Sequence, residues 1–429
     1  MKNSFKVAVA GAGTVGGAVL RLLHDNAELI AARCGRRVEV CAVGARDAAK
    51  ARARYAQYAP QFVKGWRRIA EHPEADAVVE LMGGESAAAP CIAAALSRGK
   101  AVATANKALL AARGDEIFAA ANAAKKPVAF EAAVAGCIPI VKTLREALAG
   151  DEICEVTGII NGTCNYIMSA MRRGMTFAAA LSGAQKLGYA EADPSLDIDG
   201  ADAAHKIALI ARLAFRARPA AESFPVEGVR NFNLADIKYA AQFNFSVKLL
   251  AQARREKNGV SLSVQPTLVP NDHPMSAVNG SMNAILVKSV FSGETMYYGA
   301  GAGGDPTAAA VVADLIDIAR QNRALFMPQD KTPPPLVPAS EFCAPYFLRL
   351  RVLDRPGVLA KITGALAAQN ISIEAIHQNE SAPGCKVDVI ILLHETTRGR
   401  INAAAEMILL QDAVFGPAAI FPIQRFSQS

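Results

Sequence analysis

Phe5-Lys-Val-Ala-Val-Ala-Gly-Ala-Gly-Thr-Val-Gly16 decides the fold of the first part of this chain. Phe5–Ala10 is a short apolar run suited to a strand buried on both faces in a parallel sheet. Gly11, Gly13 and Gly16 follow at the G-x-G-x-x-G spacing. The first glycine permits a tight turn. The second lets a pyrophosphate approach the backbone, and the third lets helix and strand pack closely. Thr14 and Val15 lie within this glycine turn and are candidates for binding the cofactor with it, and the following helix would face the phosphates with its unpaired N–H groups. A helix is expected over residues 18–29, with Val19, Leu22 and Leu23 on one side. Strands are expected at residues 38–43, 77–82 and 101–104, with Ala-rich helical stretches between them. This alternation predicts an α/β fold, a doubly wound parallel Rossmann sheet closing near residue 133.

The chain is 429 residues long, so two or three domains are expected. A hydrophobic content of 52% against 20% charge fits a globular chain with ample core. Lys and Arg outnumber Asp and Glu by 46 to 39, a net charge of +7. The basic residues are scattered, without a stripe of interleaved aromatics, so nucleic acid is not expected as a partner. An anionic cofactor accounts for the excess equally well. None of the eight cysteines forms a CxxC pair and the histidines do not cluster beside them, which argues against zinc and for reduced thiols in the cytoplasm. No signal peptide or membrane-spanning run is expected.

Strands near residues 159–160, 243–253, 260–268 and 284–291 predict an α+β substrate and dimerisation domain over 134–300. The loop Gly299-Ala-Gly-Ala-Gly-Gly-Asp-Pro306 precedes an apolar helix expected over 307–320. Lys331-Thr-Pro-Pro-Pro-Leu-Val-Pro338 opens a Pro-rich linker, placed at 331–345. Residues 346–429 then read β-α-β-β-α-β, the ferredoxin-like order, with a short last strand near 419–423.

Leu187-Gly-Tyr-Ala-Glu-Ala-Asp-Pro-Ser-Leu-Asp-Ile-Asp-Gly-Ala-Asp-Ala-Ala-His-Lys206 gathers Glu191, Asp193, Asp197, Asp199 and Asp202 in front of one lysine. Crowded carboxylates need a cation or a polar ligand to offset their repulsion. Asp202 and Lys206 are four apart and share a helix face. On a surface that is an ordinary ion pair. Beside the other acids and the Gly200 turn, it also suits an oriented lysine relaying a proton to the oxygen of a carbon that gains or loses hydride. Lys107, in Thr104-Ala-Asn-Lys107, follows a strand at the edge where open α/β sheets bind ligands, and is a candidate for contacting cofactor or substrate. At the end of the second strand, Val43-Gly-Ala-Arg-Asp47 leaves room for a 2′-phosphate paired with Arg46, favouring NADP; the alternative is a solvated Arg46, with Asp47 serving NAD.

GAGTVGGAV, ELMGG, TANKALL, EAAVAGCIPI, IINGTCNYI, LGYAEADPSLDIDGADAAHK and YGAGAGGDPTA, in this order, resemble the homoserine dehydrogenase family over the first 330 residues or so. Leu350-Arg-Val-Leu-Asp-Arg-Pro-Gly-Val-Leu-Ala-Lys-Ile362 resembles an ACT domain. Nothing like an aspartokinase precedes the nucleotide fold, so the monofunctional form is the nearer likeness. The resemblance implies reversible NAD(P)H-dependent reduction of L-aspartate 4-semialdehyde to L-homoserine, on the route to threonine, methionine and isoleucine. By the same resemblance, Lys206 donates the proton to the carbonyl oxygen and Lys107 assists. Glu191 holds the substrate amino group, with Asp197 and Asp202 fixing substrate and lysine. Glu131, Val134, Gly136 and Ile138 would hold a monovalent cation such as Na+, mostly through backbone carbonyls. Gly303 would approach the nicotinamide half, so the nucleotide domain would be completed by about residues 300–330. The ACT segment implies feedback control by L-threonine at a site bordered by Asp354-Arg-Pro-Gly357 and Asn370-Ile-Ser-Ile373, in a homodimer or homotetramer; the alternative is a module that only assists assembly through its sheet edges. The competing readings are a different ACT-tailed dehydrogenase, such as a phosphoglycerate dehydrogenase, and a non-catalytic sensor of NADP and an amino acid. The N-terminal glycine turn and the absence of an evident His–Glu pair count against the first. The intact acidic block and Lys206 count against the second.

Overall fold

The computed structural model describes residues 4–327, 332–379, 382 and 384–426. The chain forms two compact units, one comprising residues up to Ile160 with Asp202–Ser223 and Met282–Pro334, the other Asn161–Ala201, Phe224–Ser281 and the segment from Pro335 on.

In the first unit, β1 (Ser4–Ala10), β2 (Arg37–Ala45), β3 (Phe62–Lys64), β4 (Ala77–Glu80), β5 (Ala101–Thr104) and β6 (Val128–Ala129) form a parallel sheet in the order β3-β2-β1-β4-β5-β6. The order reverses between β1 and β4, the position where such sheets open a crevice at their carboxyl ends. β4 and β5 are buried along their whole length, which is why each reads as a short apolar run up to its polar last residue, Glu80 or Thr104. The expected single helix over 18–29 is two: Thr14–Asp25 and Ala27–Cys34, broken at Asn26 and ended by Gly35 at φ 77°. The helix Gly304–Ala319 starts three residues before its expected position, because Pro306 is tolerated in a first turn and Gly303, at φ 117°, supplies the entry. Its Val311, Leu315 and Ile318 share one core with Val7, Val9, Leu20 and Leu23. Fully burying each such side chain contributes about 1.5–3 kcal/mol. The strand Met282–Ser289 pairs antiparallel with Ile153–Ile159 and with Gly293–Ala300.

In the second unit, Phe245–Glu256 and Gly259–Pro270 form a regular antiparallel hairpin. The Pro-rich stretch is docked on it at one point: Val260 N donates to Pro335 O and Val337 N to Val260 O, both at 3.0 Å. A side chain at Gly259 would collide with Pro335 O, its Cβ 2.2 Å away. Lys331 itself lies outside the described residues. The C-terminal part is an antiparallel sheet of Ile373–Gln378, Lys386–Thr397, Cys343–Leu353 and Val414–Pro422, in that order across the sheet. Helices Val358–Ala368 and Arg398–Leu409 share a core with the sheet through Ile362, Leu366, Ile401 and Ile408. This is the ferredoxin-like arrangement, with its last strand longer than the sequence signalled. Among the described residues, no helix is long and apolar enough to cross a membrane.

Candidate active site

The glycine turn between β1 and the helix Thr14–Asp25 is tight. Gly11 has φ 118°, and a Cβ there would lie 2.6 Å from Leu81 O. A Cβ at Gly16 would lie 2.0 Å from Gly11 O, whereas one at Gly13 would meet nothing within 4 Å. Gly11 and Gly16 therefore fold the turn, and Gly13 leaves its outer side open to a ligand. Gly13 is also the N-cap and offers no side chain to the first N–H groups. Gly304 comes against this turn, a Cβ there falling 3.0 Å from Thr14 Cγ2. These features fit a dinucleotide.

Past β2, Arg46 is exposed, while Asp47 caps the helix Ala48–Tyr55 by accepting from Lys50 N at 2.9 Å. Gly44 is small for a different reason than expected: it is buried, and a Cβ there would strike Ile69 Cγ1 at 2.5 Å. It serves packing under Ile69. Lys64, also exposed, stands beside Ala45 in the β2–β3 register.

At the carboxyl ends of β4 and β5, Glu80 is fully buried. It accepts from Thr104 Oγ1 at 2.7 Å and from Met82 N at 2.8 Å. Burial raises its pKa against those hydrogen bonds. Asn106 binds Gly84 O at 2.6 Å and caps the helix Lys107–Ala124 through Leu109 N at 3.2 Å. Lys107 is thereby fixed as the first residue of that helix.

Lys107, Asp202 and Lys206 meet. Asp202 Oδ1 lies 3.0 Å from Lys107 Nζ, and its Oδ2 lies 2.7 Å from Lys206 Nζ. Lys206 Nζ also donates to Ile160 O at 2.7 Å. Asp202 and Lys206 are both buried, and Lys107 is partly exposed. Burial alone would raise the Asp202 pKa; the two lysines outweigh it and hold the carboxylate well below its ordinary range. The arrangement presents an oriented, buried ammonium and a second, partly exposed lysine on the same carboxylate.

In the other unit the acidic block is divided by use. Asp193 caps Ser195, at 3.1 Å to N and 2.6 Å to Oγ, and Asp199 pairs with Arg230 through two contacts of 2.7 and 2.8 Å. Both carboxylates are lowered in pKa by those hydrogen bonds. Asp197 is anchored by Asn161 Nδ2 at 2.8 Å and Thr163 Oγ1 at 3.1 Å. Asn161 in turn caps the helix Gly162–Arg172 through Cys164 N at 2.8 Å. Glu191 is exposed. The expectation of five acids crowding one lysine thus resolves into separate tasks.

Glu131 is buried and accepts from Val141 N and Lys142 N at 2.9 and 2.8 Å. Burial raises its pKa to about 7 against those bonds. Val134 and Ile138 are buried, and Ala135 and Gly136 bend the chain at φ 54° and 59°. Among the described residues no cluster of three His, Cys, Asp or Glu side chains could hold a metal. Each oxygen of the Glu131 carboxylate accepts one N–H, so a cation here would draw on backbone oxygens or on the lone pairs that carboxylate retains.

Sequence reasoning missed Glu80, Asn161, Thr163 and the Ile160 carbonyl. The first three are polar residues at strand ends or helix starts, a readable sign; a carbonyl has none.

A parallel sheet with this glycine turn, and a lysine–aspartate–lysine cluster in the same unit, define an NAD(P)-dependent oxidoreductase. The family description for homoserine dehydrogenase matches residues 139–316, its NAD-binding domain residues 11–131, and an ACT domain residues 346–406. Homoserine dehydrogenases of Neisseria gonorrhoeae and Pseudomonas aeruginosa are each 41% identical, over 97% and 98% of this chain and 98% and 99% of their own. The crystal structure of a homoserine dehydrogenase from Thiobacillus denitrificans is 43% identical and superposes with a TM-score of 0.93 over 98% of both chains. A hyperthermophilic archaeal homoserine dehydrogenase in complex with NADPH shows 26% identity and a TM-score of 0.64 over 74% of this chain and 98% of that one. The chain belongs to the homoserine dehydrogenase family.

Proposed function

We propose that the chain reduces L-aspartate 4-semialdehyde to L-homoserine, reversibly, with Lys206 protonating the carbonyl oxygen. The observation that carries this is Lys206 Nζ held between Asp202 Oδ2 and Ile160 O, each at 2.7 Å. Both partners are acceptors, so they aim the ammonium while leaving it a third proton to give. When bound, the nicotinamide supplies the hydride to the carbonyl carbon. Lys206 supplies the proton to the oxygen, so an aldehyde becomes a primary alcohol and NADPH becomes NADP. In the reverse direction the neutral amine accepts the hydroxyl proton. Lys107 shares Asp202 and assists at the same oxygen. Glu191 takes the substrate ammonium, and Asp197 and Asp202 fix substrate and lysine, by likeness to the family pattern.

NADP is the favoured cofactor, with NAD possible. Arg46 and Lys64 are two exposed cations at the ends of neighbouring strands, and Asp47 is occupied as a helix cap. Gly11, Gly13, Thr14, Val15 and Gly16 would receive the pyrophosphate, with Lys107 and Gly303 towards the nicotinamide half. Carbonyls of Glu131, Val134, Gly136 and Ile138 would bind a monovalent cation such as Na+. The ACT segment would take L-threonine as a feedback inhibitor near Asp354-Arg-Pro-Gly357 and Asn370-Ile-Ser-Ile373; Gly357 and Asn370 both adopt left-handed backbone there, at φ 88° and 54°. A cytoplasmic homodimer or homotetramer is the setting this reading implies.

The test is NAD(P)H formation from L-homoserine by the purified protein, with NADP or NAD, and with or without L-threonine and Na+. Turnover favouring NADP and lowered by threonine supports the substrate, the cofactor and the effector, and a dependence on Na+ supports the cation site. Folded protein that binds dinucleotide but oxidises no homoserine would overturn the substrate.

A further inference from the structure

Asn283 is fully buried on the strand Met282–Ser289, opposite Gly299. Among the described residues, neither its Nδ2 nor its Oδ1 has a hydrogen-bond partner. Nearly all buried polar groups are paired, so an amide with both ends orphaned is a cost that a purely structural core residue would shed. The side chain lies on the backbone of Gly301, where a Cβ would come within 1.9 Å of Nδ2 and 2.1 Å of Cγ. The same stretch is crowded by Gly136, whose Cβ would lie 2.6 Å from both Ala300 O and Gly301 C. Two residues further, Gly303 starts the helix Gly304–Ala319, and Gly304 rests against Thr14 of the dinucleotide turn. The glycine loop therefore joins a buried unpaired amide to the cofactor crevice.

We propose that Asn283 is a positioning residue for the cofactor: its amide forms hydrogen bonds with the Ala300–Gly303 backbone when a bound dinucleotide seats that loop against the Gly11–Gly16 turn. An amide and a peptide unit are complementary, each offering a donor and an acceptor. The glycines at 301 and 303 give the loop the backbone freedom to turn a peptide toward it. The proposal rests on the reading that this loop serves the nicotinamide half.

Asn283→Leu removes both polar atoms while keeping the branching at Cγ and the number of heavy atoms. In the protein without added dinucleotide, its melting temperature should equal or exceed that of the parent, because no hydrogen bond is lost. Its Kd for NADPH, from fluorescence titration, should rise roughly tenfold, about the worth of a hydrogen bond or two. Its Kd for 2′,5′-ADP, which lacks the nicotinamide half, should not move. An unchanged Kd for NADPH, or a melting temperature well below the parent's, would overturn the proposal. Equal weakening of both ligands would also overturn it, by pointing to general damage of the nucleotide unit. Parent protein that fails to bind NADPH would reject the cofactor reading itself, which is a separate result.

Discussion

Lys206 Nζ lies 2.7 Å from Asp202 Oδ2, one helical turn away on the same face, and both side chains are buried. An exposed pair at this spacing contributes only tenths of a kcal/mol. Buried, it fixes the ammonium in one place, and Lys107 at 3.0 Å brings a second cation to the same carboxylate. Lys206→Ala should therefore lower kcat for homoserine oxidation about 10²- to 10⁴-fold. The Kd for NADPH should stay within about twofold, because the lysine acts on the substrate oxygen. Steady-state kinetics beside a fluorescence titration separates the two; joint loss would mark a folding role.

Arg46 is exposed at the end of β2, beside the strand that carries Lys64. Arg46→Ala should raise KM for NADP about tenfold, the worth of one charge-assisted hydrogen bond, and leave KM for NAD nearly unchanged. Equal effects on the two cofactors would remove Arg46 from the 2′-phosphate.

Lys248 is buried, its pKa lowered to about 8 by burial, with the charge of Arg172 adding to the shift. Its Nζ donates to Val278 O, to Asn279 Oδ1 at 3.2 Å and to Asn165 Oδ1 at 3.4 Å. Between pH 8 and about 10.5 the unfolded chain binds more protons at this site than the folded one, so this group makes stability rise with pH across that window. The full contribution is about 3 kcal/mol. Urea unfolding of the parent and of Lys248→Met across pH 7–10.5 should show the difference between them moving in the parent's favour as pH rises. A constant difference would mean that the ammonium is not penalised.

Arg349, on the ACT strand Cys343–Leu353, pairs with Asp236 of the helix Leu234–Gln242 at 2.5 Å, and Tyr239 of that helix reaches Asp388 at 3.2 Å. Burial pushes the Asp236 pKa up, opposed by Arg349. Asp236→Ala should destabilise the protein by about 3 kcal/mol, since it strips one partner from a buried ion pair. Under conditions where the variant is folded, any inhibition by threonine through the proposed ACT site should weaken more than kcat, because the lost contact joins the ACT sheet to that helix. Chemical denaturation and inhibition curves check the two halves.

The parallel sheet and the Asp202–Lys206 pair were legible because each leaves a periodic or spaced trace: apolar runs at the right intervals, glycines at fixed offsets, a helical i, i+4. The ferredoxin-like order was legible from alternation. Less was readable where backbone does the work. Ile160 contributes a carbonyl, which any residue carries. Nothing in Asp193 or Asp199 distinguishes them from Asp197 until Ser195 and Arg230 are seen to claim them. Gly44 invited a ligand reading, and its smallness answers instead to Ile69. Asn283 leaves no signal, because the absence of partners is a property of three dimensions.

The helix Gly304–Ala319 shares one core with β1 and the helix Thr14–Asp25, although some 280 residues of chain separate them. On the ribosome, at about 5–20 residues per second, the first strand must wait on the order of 15–60 s for the helix that covers it. During that interval Val7, Val9 and Leu20 have an unfinished core around them. Contacts this distant in sequence slow folding. The nucleotide unit thus starts ahead of the other unit and closes late, and a chain halted before residue 319 carries an open apolar face, a substrate for chaperones.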